Sequence, residues 1–138
     1  MHLTAASNGA LWILIACGAR PSMTMSEMSQ ALGLTAPLVV KLCHQLKRAG
    51  YLVGQRGRGG GYRLAISARH VSPMEVIDLF EGRRGMFPCG VSADGACRIA
   101  EICRLRTACD RACAAFRAEL VSLTLADLAP DNLVDGSP

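Results

Sequence analysis

Aromatic side chains are scarce in this chain, at 4% of 138 residues, so its core has to be assembled from Leu, Ile, Val, Ala and Met. Carboxylates are missing from a long stretch: none occurs between Met28 and Met74. Residues 1–74 hold eight Lys/Arg against the single acid Glu27, whereas residues 75–138 hold seven against ten acids. A solvated face mixes signs, so a stretch of one sign points to a surface that meets phosphates. Lys and Arg are themselves absent before Arg20. The apolar run Gly9–Cys17 resembles the h-region of a signal peptide, and Leu14-Ile15-Ala16-Cys17 a lipoprotein cleavage box, but a secretory n-region needs a cation. The run is also too short to span a bilayer. It is expected to be a buried first helix of a cytoplasmic protein with no membrane partner.

What is present suits one domain, or a small domain with an appended helix: 138 residues, half of them apolar, with disorder expected only in the tail Pro130–Pro138. Cysteine is plentiful. Seven occur, five of them between Cys89 and Cys113. The number is odd and the apolar content ample without staples, which favours a reduced chain with a metal or redox site over a disulfide framework.

Helix signals follow in series. Thr24-Met25-Ser26-Glu27 is a capping box, with Met28, Ala31 and Leu32 on one face and a stop at Gly33. Thr35 is placed to cap a second helix, Ala36 to Ala49, ended by Gly50. The short connection from Gly33 to Thr35 is that of a helix-turn-helix. In the second helix Leu38, Val39, Leu42, Leu46 and Ala49 gather on one side, leaving Pro37, Val40, Lys41, His44, Lys47 and Arg48 on the other. That outer face suits a major groove, with Pro37, Val40, Lys41 and His44 near base edges and Lys47 and Arg48 on phosphates.

Tyr51–Gln55 and Tyr62–Ala65 read as short strands around Arg56-Gly57-Arg58-Gly59-Gly60-Gly61, a hairpin whose tip is arginine on flexible glycine. Arginine suits phosphates or a narrow minor groove. A nucleotide-cradling loop would open a helix after a strand, and here a second strand follows. These features predict a winged helix-turn-helix. Ser72-Pro73-Met74-Glu75 then launches a further helix to about Gly82, and Arg83 to about Ala96 reads as a loop. From Arg104 a long helix places Leu105, Cys109, Ala112, Phe116, Leu120 and Leu123 near a helix–helix seam, suited to a second copy of the chain.

The seam also sorts the cysteines. Cys17, Cys43, Cys109 and Cys113 read as small core residues. Cys89, Cys97 and Cys103, in a C-x7-C-x5-C spacing, lie in a glycine-bearing loop and a first helical turn, where three thiolates can converge on an iron–sulfur cluster or zinc. They form no C-x2-4-C knuckle of the zinc kind and no C-x2-C-x2-C run of the ferredoxin kind.

Together these pieces resemble the IscR/NsrR/RirA (Rrf-two) family of winged-helix regulators from His2 to Leu128. The match is carried by His2-Leu3-Thr4, the wing Arg56–Gly61, the three cysteines and Thr124-Leu125-Ala126-Asp127-Leu128. The resemblance implies a homodimeric transcription factor binding a double-stranded DNA operator. It also implies that Cys89, Cys97 and Cys103 hold a cluster, 4Fe-4S or 2Fe-2S, responsive to iron, nitric oxide or redox state. The x7 spacing is similar to that of the iron-responsive RirA branch. Two positions depart from the pattern: His2 replaces the usual Arg or Lys, and Asn8 stands where nitric-oxide-sensing relatives carry a ligating carboxylate. The fourth ligand is therefore open between the Asn8 position, Cys109 and a small molecule.

The expected fold is mainly α with a small β wing. Residues 1–82 are the winged helix-turn-helix, 83–103 the cluster-binding loop, 104–128 the dimerisation helix and 129–138 a tail. The expected function is a non-enzymatic regulator, a repressor that occupies a promoter. A cluster-free thiol/disulfide or zinc regulator and a small iron–sulfur redox protein are the alternatives.

Overall fold

The computed structural model describes residues 3–55, 57, 60–65, 70–82 and 103–128. Its elements run α1 (Ala5–Ala19), α2 (Met25–Leu32), α3 (Ala36–Arg48), β1 (Leu52–Gly54), β2 (Tyr62–Leu64), α4 (Pro73–Glu81) and α5 (Arg104–Val121). The expected mainly helical fold with a small wing is what forms.

α1 starts where the Thr4 hydroxyl accepts from the Ser7 amide, and it buries Ala10, Ile13, Leu14 and Cys17. The apolar run is thus a core helix, and none among the described residues is long and apolar enough to cross a membrane. Both expected capping boxes are present, Thr24 with Glu27 and Ser72 with Glu75, each satisfying amides that a helix start leaves unpaired. α2 stops at Gly33, whose φ of 63° lies in the left-handed region glycine tolerates. Thr35 occupies the N-cap of α3 but makes no side-chain cap bond; Pro37 in the first turn stiffens that start instead.

The core joins Ile13 and Leu14 of α1, Met28 of α2, Val39, Leu42 and Leu46 of α3, Leu52 of β1 and Val76 of α4, all at most 2% exposed. Cys43 belongs to it, its thiol 3.6 Å from the Met28 sulfur. Ala31 and Ala49 are exposed instead of core-facing. Leu32, Leu34 and Leu38 are the partly buried side chains packed on this part of the core, and they are larger.

β1 and β2 pair antiparallel, with Val53 opposite Arg63. β2 is also tied to the segment before α2: the Met23 amide donates to the Tyr62 carbonyl at 2.8 Å, and the Tyr62 amide to the Met23 carbonyl at 2.7 Å. Gly61 makes this approach possible, since a Cβ there would collide with the Met23 carbonyl oxygen. The wing is thereby anchored on the helix-turn-helix.

α5 differs from the other helices in having no buried residue. It lies against α4, with Cys109, Cys113, Phe116 and Leu120 half-buried, while Leu105 is 63% and Val121 60% exposed. Ala112, expected on the seam, is exposed because the covered face runs through Cys113. The helix also ends at Val121, not at Leu128. Beyond it Leu125 is fully buried, and its amide donates to the Val71 carbonyl at 2.9 Å. Thr124 and Asp127 bond each other around the turn that replaces further helix.

Directed polar contacts complete the assembly of α1, α4 and α5. Arg117 donates from both terminal nitrogens to Asp78, at 2.7 and 2.6 Å. The Ser72 hydroxyl donates to the Leu120 carbonyl at 3.0 Å. Glu81 accepts from the Thr4 amide at 2.8 Å and from the hydroxyl of fully buried Ser7 at 2.6 Å. These bonds hold the Glu81 carboxyl below its ordinary value, the Ser7 hydroxyl contributing most.

Candidate functional site

α2, α3 and the wing line one cleft. Thr35 and Ala36 begin α3 so that Val39, Leu42, Cys43 and Leu46 are buried, which turns Pro37, Val40, Lys41, His44, Lys47 and Arg48 outward. All six are exposed, Val40 at 44%. The outer face expected from the periodicity is therefore exposed to solvent. Lys47 leans toward the wing, its Nζ 3.8 Å from where a Cβ on Gly54 would be. A cleft of about 440 Å³ between helix and wing is lined by Met25, Lys47, Gly54, Gln55, Gly60, Gly61 and Tyr62. Arg56 and Arg58, expected at the wing tip, lie outside the described residues.

The structure adds Arg63. It is exposed on β2, between half-buried Tyr62 and Leu64, so it shares the wing's outer side with Val53. The two-residue alternation of Tyr62-Arg63-Leu64 is the signal that could have placed it there. The lone acid of this half, Glu27, is engaged in its cap. Bonds from the Thr24 amide and hydroxyl hold its carboxyl below the ordinary range, the amide contributing most.

Of the three cysteines expected to act together, one lies among the described residues. Cys103 is the N-cap of α5, half-buried, and its sulfur accepts from the Arg106 amide at 3.5 Å. A helix start offers partial positive charge and free amides, a setting that suits a soft anionic ligand. Cys89 and Cys97 lie outside the described residues. Asn8, on α1, and Cys109, on α5, are half-buried. Among the described residues no group of three or more His, Cys, Asp or Glu is gathered as a metal site. Cys17 and Cys43 are core thiols, as their neighbours indicated. Burial pushes them up to about 12 and about 11, away from the thiolate form that ligates metal.

A helix-turn-helix with an exposed basic face, flanked by an anchored two-stranded wing, defines the class: a winged-helix DNA-binding regulator. Residues 3–131 match the Rrf2 family, described as iron-dependent transcriptional regulator. The chain belongs to that family and is a transcriptional regulator, not an enzyme. Its fold is similar to that of CymR (YrzC), the global cysteine regulator of B. subtilis, at 23% identity and a TM-score of 0.75, covering 94% of this chain and 96% of that one. It is similar also to T. potens IscR, at 19% identity and 0.74, covering 93% and 85%. Staphylococcus aureus CymR matches at 22% identity and 0.69, covering 91% and 96%.

Proposed function

We propose that this regulator is a cytoplasmic homodimer that represses by occupying an operator and releases or rebinds it according to an iron–sulfur cluster. Cys89, Cys97 and Cys103 hold that cluster, 4Fe-4S by preference. The observation that carries the reading is the family match to iron-dependent regulators on a chain whose surplus cysteines fall in one segment, between α4 and α5. The setting of Cys103 supports it from the geometry. When bound, the cluster supplies sensitivity to iron supply, nitric oxide or redox state. The protein's own residues do the rest. Val40, Lys41 and His44, with Pro37, meet base edges; Lys47, Arg48, Arg56, Arg58 and exposed Arg63 meet phosphates. A helix with no buried residue and exposed Leu105 and Val121 supports the homodimer. On this reading residues 1–82 read DNA, 83–103 bear the cluster and 104–121 pair the subunits. Only a difference in cluster affinity between DNA-competent and incompetent states can drive the switch.

A cluster-free regulator is the competing reading, because CymR, named as a cysteine regulator, and IscR are alike in fold to this chain. Anaerobic purification separates the two. The expected result is coloured protein containing iron and sulfide, whose affinity for DNA duplexes selected from a random pool changes on chelation or nitric oxide. Cys97→Ala and Cys103→Ala lose the iron and remain folded, whereas Cys17→Ala and Cys43→Ala keep it. Colourless, iron-free protein that binds the same DNA would overturn the cluster reading.

A further inference from the structure

We propose that the last turn of α4 is a two-armed coupler, in which Asp78 grips α5 through Arg117 and Glu81 grips α1 through Thr4 and Ser7, carrying the state of the cysteine segment to the reading helix. The proposal rests on the sensing role above and names the positioning residues that would execute it.

The geometry places both arms at the entrance to that segment. Asp78 and Glu81 stand three residues apart, and Gly82 directly after them leads into residues 83–102. The far end of the segment is Cys103, the N-cap of α5. In sequence the segment joins the end of α4 to the start of α5, so both arms stand beside one of its two attachments.

The two arms are of a kind that switches. α5 buries nothing fully, so its seat on α4 depends heavily on the Arg117 fork, with bonds of 2.7 and 2.6 Å, and on the Ser72–Leu120 bond. Apolar contacts tolerate sliding, whereas a bidentate pair has one good geometry and is lost on a small rotation. The Glu81 arm is similarly directed. It takes the N-cap amide of α1 and the hydroxyl of Ser7, which has no exposure to solvent. α1 in turn is set hard against α3: a Cβ on Gly9 would lie 2.8 Å from Leu42 Cδ1. Close packing of this sort moves two helices as one body. Asn8, the neighbour of Ser7, is carried by the same arm. The route from the segment to the reading face is thus contiguous: α4 to the start of α1, and α1 to α3.

The test uses the full-length chain, loaded anaerobically with ferrous iron and sulfide or stripped by chelation, with DNA duplexes selected by the parent protein from a random pool. Couplings of this kind span about 5- to 150-fold in affinity, and in Arg117→Met or Glu81→Ala the loaded-to-stripped ratio is expected to fall to within about threefold of one. Arg117→Met retains an apolar stem on a half-exposed helix and keeps the fold even where Glu81→Ala does not. A second readout needs no cluster. In stripped Arg117→Met protein, amide exchange of Ser7 and Asn8 is expected to rise, although the side-chain bonds of Arg117 go to Asp78. A parent-like ratio in Arg117→Met, or unchanged exchange at α1, overturns the coupler while leaving the sensing role intact. A parent ratio of one overturns both.

Discussion

Cys17 and Cys103 stand in contrasting surroundings, one in the core and the other at a helix start. Cys17 is 3% exposed in the core, and desolvation, with a smaller contribution from Cys43, pushes its thiol up to about 12. Cys103 is half-buried at a helix start with an amide aimed at its sulfur. In metal-free folded protein near neutral pH, iodoacetamide is expected to modify Cys103 and to spare Cys17 and Cys43, with all three reacting in denaturant. Peptide mass spectrometry reads the outcome, and rapid labelling of Cys17 in the native state would contradict the packing described. The division between these cysteines was legible from the apolar neighbours of Cys17 and Cys43 in sequence. For Cys109 and Cys113 it was not, because their burial depends on what covers α5.

At the scale of elements, the wing rests on a backbone contact that no pattern of side chains announces. Gly61 lies against the Met23 carbonyl, so a methyl there collides with main chain that cannot rotate aside. Gly61→Ala is expected to detach β2 from Met23 and to cost about 1–3 kcal/mol, the usual price of overpacking. Thermal unfolding and amide exchange at Met23 and Tyr62 measure it, together with a loss of DNA affinity as the wing swings free. Parent-like exchange at both amides would show that the wing is held in another way. The same scale explains the shortened α5. The leucines at 120, 123, 125 and 128 suggest continued helix, but Leu125 gains more by entering the core beside Val71, which a straight helix would not allow.

For the molecule as a whole, acid sensitivity and assembly are the properties to test. Glu27, Glu81 and Asp127 all have carboxyls held below their ordinary values of 4.5, 4.5 and 3.8 by hydrogen bonds to helix starts and turns. The folded state therefore binds fewer protons than the unfolded state in that range. The stability these groups contribute is present above the ordinary values and is lost as pH falls through the lower folded ones. The melting temperature is expected to drop on acidification below about pH 4.5, the ordinary glutamate value, and to drop less steeply in Glu81→Ala. An equal slope in parent and variant would refute the linkage. Assembly is tested on α5. Replacing Leu105 and Val121 together by Glu removes two exposed apolar side chains and adds charge, which is expected to weaken the proposed dimer by about 3 kcal/mol, roughly 100-fold in its dissociation constant. Sedimentation at matched concentrations checks it, and an unchanged mass would place the subunit contact elsewhere.

The sequence by itself determined the local features of this protein. Capping boxes at Thr24 and Ser72, the short connection from Gly33 to Thr35, the amphipathic face of α3 and the charge bias before Met74 act over a few residues or through composition, so they are legible without coordinates. The winged helix-turn-helix follows from them. Tertiary structure decided what depends on distant partners. It brought Tyr62 to Met23, put Arg63 outside, ended α5 at Val121, left that helix without a buried residue, and joined Asp78 to Arg117 and Glu81 to Ser7. Each is a contact between residues far apart in the chain, whose geometry exists only once the core has set the helices against one another.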